Sequence, residues 1–350
     1  MTKRILTGDR PTGRLHLGHY VGTLSNRVAL QSKYEMYISV VDLHSLTDRM
    51  DDPQKVKNIP DSVRELVLDY LAVGINPEKT TILLQSAIPE ISELFAILMN
   101  LVTIARCERL PALKEKIRDQ KIQHPSMGLL NYPILMASDI LSLRAHLVPV
   151  GKDQESHIEF AREIAKTFNR LYKSRPGRDK VNDDEDAKKV FPEPEAIIGE
   201  AQTLPGTDGK AKMSKSLNNA IFLSDDERAV EEKVMSMYTD PKRTSASVPG
   251  TIEGNPLFIY HEIFNKNISE VEKFAERYRT GDVGDVEVKK ALVKALNTFL
   301  NPIRFRRKNF EEQKGLIDKV LTEGTKKARV EIQNTLQIVK QSLGLPILSS

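Results

Sequence analysis

Two histidines near the amino terminus stand at a spacing that suits phosphate chemistry. His16 and His19 flank Gly18 in the run PTGRLHLGH (11–19), which follows a short apolar strand and opens a helical pattern. The free N–H groups and the dipole of a helix start attract phosphate, and imidazole N–H groups can stabilise charge that grows in a transition state. Gly18 has no Cβ, so it admits a backbone or a purine ring. The alternative is an ordinary helix start, because short motifs often match by chance.

A second chemical signal is a lysine pair in residues 205–216 (PGTDGKAKMSKS). Lys212 and Lys215 flank Met213 and Ser214 in a loop that is rich in glycine and small polar residues. A mobile loop with two ammonium groups can close on a triphosphate and stabilise a departing pyrophosphate. Alone, the loop could be solvated basic surface. The two motifs rarely occur together by chance on one α/β chain.

Short strands and helical patterns alternate in the first half of the chain. Apolar runs at 5–6, 35–41 and 81–84 predict strands, and the periodicity of 56–73, with Gly74 after it, predicts a helix with a glycine C-cap. This alternation predicts a parallel sheet covered on both faces, whose ligands bind at the carboxyl ends of the strands.

The second half of the chain predicts loops and then a helical bundle. Residues 173–195 are rich in charge and proline and predict an exposed loop or a mobile insertion, and a second loop is expected at 203–219. From Asp225 onward the pattern is almost entirely helical. The stretch 241–255, with its proline and glycines, interrupts it once.

Composition limits the other classes of function. A chain of 350 residues predicts two domains, or one large domain with an appendage. With 52 basic and 48 acidic residues, the net charge is only +4, so a nucleic-acid partner has to be held by local basic patches. One cysteine, Cys107, excludes an intramolecular disulfide and a cysteine-based metal site. The first residues read as a strand and no apolar run is long enough to span a bilayer, so we expect a cytoplasmic protein without a membrane partner.

The sequences HLGH (16–19) and KMSKS (212–216) together resemble the two signatures of class I aminoacyl-tRNA synthetases. The resemblance continues in residues 8–22, 132–139 and 148–154, which are similar, in the same order, to the tryptophanyl-tRNA synthetase family. The tyrosyl enzymes share most of these features. The resemblance implies activation of L-tryptophan with ATP to tryptophanyl-adenylate and pyrophosphate, followed by transfer to the 3′ end of tRNA(Trp).

The resemblance also implies an architecture. It is α/β, with a Rossmann-type parallel-sheet catalytic domain over 1–222 that contains a helical, dimer-forming insertion at about 99–149 and the KMSKS loop. A helical, anticodon-recognising domain is implied over 223–350. The implied partners are L-tryptophan, tRNA(Trp) and a second copy of the chain. ATP with Mg²⁺ is the implied cosubstrate, with no permanent cofactor and no metal held by the protein.

Two residues bear on the choice between tryptophan and tyrosine. The tyrosyl enzymes typically have glutamine at the position of Met136, whereas methionine suits the face of an indole. Asp139 can accept the indole N–H, which is a donor only. The residues alone also allow a second interpretation, in which Asp139 caps a helix that begins at Ile140 and Met136 belongs to the core. The resemblance favours the pocket.

The resemblance implies three groups of site residues. The catalytic residues are His16, His19, Lys212 and Lys215. The ATP-binding residues are Arg10, Pro11, Thr12, Gly18, His19, Gly151, Lys152, Asp153, Leu204, Lys212, Met213, Ser214, Lys215 and Ser216. The tryptophan-binding residues are Gly8, His44, Tyr132, Met136, Asp139, Val148, Val150 and Gln154. Taken alone, a single histidine after a strand, as at His44, is more often structural.

The chain departs from the family pattern near the first signature. The more common glutamine after the first strand is Arg10, and many members carry Thr and Asn where this chain has His16 and His19. A basic run at 304–308 (RFRRK) predicts either contact with tRNA phosphates or a solvated helix face. The rival functions are a tyrosyl-tRNA synthetase, a small nucleotidylyltransferase, and a synthetase-like RNA-binding or regulatory protein without the enzymatic activity.

Overall fold

The fold is built on one parallel β-sheet. The structure is a computed structural model that describes residues 2–47, 49–119, 121–151, 154–172, 189–198, 203–240, 243 and 245–346. Its five strands pair in the order β3-β2-β1-β4-β5, all parallel. The strands are β1 (Arg4–Asp9), β2 (Glu35–Val40), β3 (Thr80–Leu84), β4 (Leu147–Val150) and β5 (Glu195–Ile198). The expected parallel sheet is confirmed.

Helices cover the sheet and form most of the carboxyl-terminal third. They are α1 (Leu17–His19), α2 (Ser25–Leu30), α3 (Asp42–Leu46), α4 (Pro53–Lys57), α5 (Ile59–Val73), α6 (Pro89–Met99), α7 (Ile104–Glu108), α8 (Pro111–Asp119), α9 (Met127–Ser142), α10 (Glu155–Leu171), α11 (Glu227–Met235), α12 (Pro256–Phe264), α13 (Ile268–Thr280), α14 (Asp285–Glu311) and α15 (Leu316–Leu343). Among these helices, none combines the length and apolar character of a membrane span.

Local sequence explains where several elements end. Helix α5 stops at Gly74, whose φ of 109° is left-handed and therefore favours glycine, as expected. Strand β1 approaches β2 closely at Gly8, where an added Cβ would lie 2.6 Å from the Ser39 carbonyl oxygen. The helix expected after the first signature runs from α1 to α2, with a π-helical turn (Tyr20–Leu24) between them. Such turns are frequent at functional sites.

The helical third packs directly on the sheet-containing part. Helix α14 lies against α5, and α15 lies against β3 at the sheet edge. Gly324 of α15 faces the Ile82 carbonyl oxygen so closely that an added Cβ would clash with it. One hydrophobic cluster includes residues of β1, β2, α5 and α14. The helical third and the sheet therefore share a core.

The basic run on α14 is mostly turned toward the protein, which corrects the prediction made from its charge. Arg307 is buried against Asp69 and Glu65 of α5. Arg306 donates to the Ala72 carbonyl, and Arg304 donates to the Asp225 carbonyl. Charge pattern could not reveal this, because the acidic partners are remote in sequence. A solvated face is therefore wrong for Arg307, whereas Lys308 is exposed, and contact with tRNA phosphates stays a prediction.

Candidate active site

A cavity of about 580 Å³ opens at the carboxyl edge of the sheet. Gly8 and Asp9 from the end of β1, His44 from α3 and Val148 from β4 all line it. In the strand order, β1 lies between β2 and β4, so the winding direction of the sheet reverses at this point. Such a switch point is where parallel α/β sheets bind ligands.

Asp139 lies in the wall of this cavity and is only 5% exposed. Gln85 Nε2 donates to its Oδ1 at 2.8 Å and to its Oδ2 at 2.9 Å. His44 Nε2 lies 3.0 Å from Oδ2. Because an ionised carboxylate only accepts hydrogen bonds, both neighbours act as donors that orient it. The sequence did not single out Gln85, since no pattern distinguishes it from other residues that follow a strand.

The alternative interpretation of Asp139 as a helix cap is wrong. Helix α9 begins at Met127 with Ser126 as its N-cap, and Asp139 lies in its fourth turn. Pro133 stands inside α9 without ending it. The stretch from Tyr132 to Asp139 is therefore a single helical segment, and it brings Tyr132, Met136 and Asp139 to the cavity.

Seven of the eight residues predicted to bind tryptophan line the cavity. They are Gly8, His44, Tyr132, Met136, Asp139, Val148 and Gln154. The eighth, Val150, is not in the wall and packs against the hydrophobic cluster on one side of the sheet. The Tyr132 hydroxyl lies 2.8 Å from His157 Nε2, which fixes the ring at the cavity.

An ion pair at the end of β1 was not predicted from the sequence. Arg27 Nη2 donates to Asp9 Oδ1 at 3.1 Å, and the Tyr70 hydroxyl donates to Asp9 Oδ2 at 2.6 Å. Burial favours a raised pKa for the Asp9 carboxyl, but the Arg27 guanidinium outweighs it, and the pKa is lowered to about 2. Asp9 is therefore a fixed negative charge in the cavity wall.

Helix α8 closes one side of the cavity mouth. Its charged residues Glu115, Lys116 and Asp119 line the wall, and the Lys116 ammonium lies 5.0 Å from the centre of the Tyr132 ring. Mixed charge on a short helix reads as solvated surface in a sequence. Only the packing of α8 reveals its position at the mouth.

The two histidines of the first signature are in contact. Their ring centres are 3.7 Å apart, and the His16 backbone N–H donates to His19 Nδ1 at 3.2 Å. Burial, together with the charges of His19 and Lys215, lowers the pKa of His16 to about 3. Burial also lowers the pKa of His19 to about 4, although Asp9 opposes the shift. Both rings are therefore neutral near pH 7, and His19, which accepts at Nδ1, keeps its proton on Nε2.

The KMSKS loop lies on the first signature. Lys215 Nζ donates to Thr12 Oγ1 at 3.1 Å and to the Gly13 carbonyl at 3.0 Å. The Gly18 N–H donates to Met213 Sδ at 3.3 Å. Burial lowers the pKa of Lys215 to about 8, opposed first by Asp69. Lys212 is exposed and lines the cavity.

The other residues predicted to bind ATP lie in different places. Arg10 lines the cavity. Pro11 and Leu204 are buried beside the loop, where the Leu204 carbonyl accepts from the Met213 N–H at 3.0 Å. Ser214 Oγ and Ser216 Oγ lie 3.0 Å apart within the loop. The Gly151 carbonyl accepts from the N–H of Gln154, which lines the cavity. Lys152 and Asp153 lie outside the described residues. Of the four predicted catalytic residues, only Lys212 lines the cavity itself.

Comparison with known proteins identifies the family. Residues 2–301 match the family model of class I tRNA synthetases for tryptophan and tyrosine (W and Y). The chain is 54% identical over 342 residues to a tryptophan–tRNA ligase of Treponema pallidum, which covers 98% of this chain and 97% of that protein. The chain belongs to the tryptophan–tRNA ligase family of class I tRNA synthetases. A second member, from Borreliella burgdorferi, is 52% identical over 98% of this chain and 94% of its own length.

A solved structure extends the comparison to three dimensions. The tryptophanyl-tRNA synthetase of Campylobacter jejuni, complexed with ADP and tryptophan, superimposes with a TM-score of 0.82 at 32% identity. The match covers 98% of this chain and 100% of that one. A tyrosyl-tRNA synthetase of Archaeoglobus fulgidus has a TM-score of 0.62 at 22% identity, covers 87% of this chain and 90% of its own, and shares the fold. The expected class I synthetase fold is confirmed.

Proposed function

We propose that this synthetase activates L-tryptophan in the cavity at the carboxyl edge of the sheet and then transfers it to tRNA(Trp). The amino acid lies with its indole toward α9 and its carboxylate toward the first signature. The observation that carries the proposal is the buried Asp139 carboxylate in the cavity wall, held by Gln85 and His44.

The Asp139 carboxylate accepts a hydrogen bond from the indole N–H of the substrate. A carboxylate has about four acceptor positions on its two oxygens, and three short contacts from Gln85 and His44 leave one for the substrate. Met136, on the same helix, supplies a soft apolar surface for the ring. A side chain without an N–H at this position leaves a buried charge without its partner, which excludes phenylalanine.

ATP binds between the first signature and the KMSKS loop. A tryptophan carboxylate oxygen attacks the α-phosphorus in line, a new P–O bond forms, and the bond to the bridging oxygen breaks so that pyrophosphate leaves. His19 donates from Nε2 to the reacting phosphate as a neutral imidazole, and Lys212 and Lys215 stabilise the departing charge. The terminal ribose hydroxyl of the tRNA then attacks the activated carbonyl and releases AMP.

Mg²⁺ enters with the triphosphate. Mg²⁺ commonly binds through substrate phosphates with few protein carboxylates. Among the described residues, no group of three or more acidic, histidine or cysteine side chains is placed to hold a metal ion. Asp9 is engaged by Arg27 and Tyr70. We therefore treat Mg²⁺ as part of the nucleotide substrate.

The active molecule is a cytoplasmic homodimer that pairs through residues 99–149. Ile104 and Met127 in this segment are 62% and 64% exposed, which fits a surface that a second copy covers. The helical region 223–350 recognises the anticodon. It is joined to the active site by the packing of α14 on α5.

Pyrophosphate exchange with each of the standard amino acids tests the proposal. Exchange that depends on tryptophan supports it, whereas exchange that depends on tyrosine points to the sister specificity. Absence of exchange with any amino acid favours a synthetase-like protein with another role. Charging of unfractionated tRNA with labelled tryptophan then tests the second step.

A further inference from the structure

The two signatures are joined by a short antiparallel pairing, which we call the signature clasp (residues 15–17 with 221–223). The Leu17 N–H donates to the Ile221 carbonyl at 2.9 Å, and the Leu223 N–H donates to the Leu15 carbonyl at 2.9 Å. His16 of the first signature lies opposite Phe222, which follows the KMSKS loop. The position of the clasp therefore sets the distance between the two signatures.

Asp69 of α5 holds the first strand of the clasp. The Leu15 N–H donates to Asp69 Oδ2 at 2.6 Å, and Asp69 is 0% exposed. Its Oδ1 pairs with Arg307 of α14, whose guanidinium also contacts Glu65 Oε2 at 2.7 Å. Three elements that are remote in sequence thus meet at one buried carboxylate.

The same helix holds the second strand. The Phe222 N–H donates to Asp225 Oδ2 at 2.8 Å. Arg304, one turn before Arg307 on α14, donates from Nε to the Asp225 carbonyl at 2.6 Å. Helix α14 therefore contacts the supports of both clasp strands through two arginines.

We infer that Asp69 and Arg307 are positioning residues for amino-acid activation, which hold the signature clasp at a fixed place relative to helix α14. The inference rests on the proposed function. Buried ion pairs contribute little net stability, and apolar residues of similar volume often replace them without loss. In this pair, Asp69 accepts a hydrogen bond from the Leu15 backbone N–H beside the first signature. The position of the pair therefore matters more for activity than the small net stability that it contributes.

The electrostatics of the loop agree with this role. Burial lowers the pKa of Lys215, and the negative charge of Asp69 is the largest effect that raises it again. The Asp69 charge therefore favours the ammonium form of the loop lysine. Loss of Arg307 would change both the position and the charge state of Asp69, because burial raises the Asp69 pKa and Arg307 counteracts this.

The test compares Arg307→Gln and Asp69→Asn with a matched buried pair elsewhere. Arg243 pairs at 3.2 Å with Asp285, the first residue of α14, and its side chain is 0% exposed. For each variant, single-turnover formation of tryptophanyl-adenylate, the KM for tryptophan and the thermal midpoint are measured. We expect Arg307→Gln and Asp69→Asn to slow adenylate formation by about 10- to 100-fold, with the KM for tryptophan changed by less than about threefold.

The control separates positioning from stability. Arg243→Gln should lower the thermal midpoint but leave adenylate formation within about twofold of the wild type, measured well below the midpoint. If Arg307→Gln also keeps the wild-type rate while its midpoint falls, the pair is only structural and the inference is overturned. If Arg307→Gln does not fold, Arg307→Lys takes its place. This variant keeps the positive charge but loses the contact of the second guanidinium nitrogen with Glu65, and its rate of adenylate formation is judged in the same way. A wild type without tryptophan-dependent exchange would overturn the proposed function instead.

Discussion

At the scale of single residues, the site depends on groups whose charge and orientation are set by burial and by neighbouring side chains. Asp139 is oriented by two donors, and Asp9 is held ionised by Arg27. His16 and His19 are neutral because burial lowers the pKa of each. In such an environment a group without its partner is costly. Substitution of Asp139, which faces the amino acid, should therefore change specificity and rate more than it changes affinity for ATP.

Asp139→Ala should lower kcat/KM for tryptophan activation. The loss should correspond to about 2–4 kcal/mol of transition-state stabilisation, the scale of a charged hydrogen bond and lost packing. The preference for tryptophan over phenylalanine should narrow, because no buried charge is then left without a partner. Pyrophosphate exchange with both amino acids measures the two effects, and an unchanged KM for ATP is the internal control. A variant that keeps full discrimination would show that Asp139 does not read the indole.

Lys215→Ala should slow adenylate formation by about 100-fold while tryptophan binding changes little, because the lysine acts on the leaving group in the transition state. Its pH dependence follows from its lowered pKa of about 8. The ammonium is present below this pH and is lost as the pH rises through it, so kcat/KM for ATP should fall above about pH 8.

Lys215→Arg is the control for this pH effect. Its guanidinium stays charged throughout this range, so the decline above about pH 8 should disappear even if the absolute rate is lower. The same decline in the arginine variant would assign it to another group and remove the role of Lys215 in the pH profile.

At the scale of elements, the carboxyl edge of the sheet collects residues that are far apart in sequence. Strand β1 ends at Asp9, α9 supplies Asp139, and the 3₁₀ turn after β3 supplies Gln85. The start of α1 is fitted closely to the KMSKS loop. An added Cβ at Gly18 would lie 3.0 Å from His16 Nδ1 and 3.3 Å from Met213 Cβ.

Gly18→Ala should therefore displace the loop and slow adenylate formation by about tenfold or more, the effect of about 1–3 kcal/mol of overpacking. Gly22→Ala in the adjoining π-helical turn is the matched control, because no atom of the described residues outside its own stretch of backbone lies within 4 Å of its added Cβ. Single-turnover rates of both variants provide the comparison. Equal rates for the two would show that the fit between Gly18 and the loop does not matter for activation.

At the scale of the whole molecule, the helical third is part of the support for the active site. Thr325 of α15 accepts from the Leu84 N–H at 3.0 Å, and Leu84 directly precedes Gln85, which orients Asp139. On the other side, α14 reaches the signature clasp through Arg304 and Arg307. The helical third therefore contacts residues next to the cavity and the supports of the signature clasp.

Single substitutions that introduce a charge test the proposed dimer surface. Sedimentation equilibrium at micromolar concentration should show a dimer for the wild type, and Ile104→Glu or Met127→Glu should shift it toward monomer because a buried charge is unfavourable. Ile268→Glu is the control, since Ile268 is 70% exposed and lies outside residues 99–149. A wild-type monomer, or a dimer that both substitutions leave intact, would refute pairing through this segment.

The amino-acid sequence was enough to predict the class of fold, the family and nine of the twenty residues that line the cavity. Strand and helix periods are local properties, so β2, α5 and its Gly74 cap follow from the residues alone. The signatures HLGH and KMSKS and the run ending in Asp139 identify the chemistry because each is compact in sequence. Seven of the eight residues predicted to bind tryptophan line the cavity for the same reason.

The remote residues that support that chemistry became clear from the packing of the elements. Gln85 behind Asp139, Arg27 behind Asp9, and Arg307 behind Asp69 are ordinary residues in their own segments. The basic run on α14 suggested a phosphate-binding or solvated face, and Asp139 suggested a helix cap, because local pattern carries no information about distant partners. Burial and pairing arise when separate elements pack, and these set both the charge state of a side chain and its role.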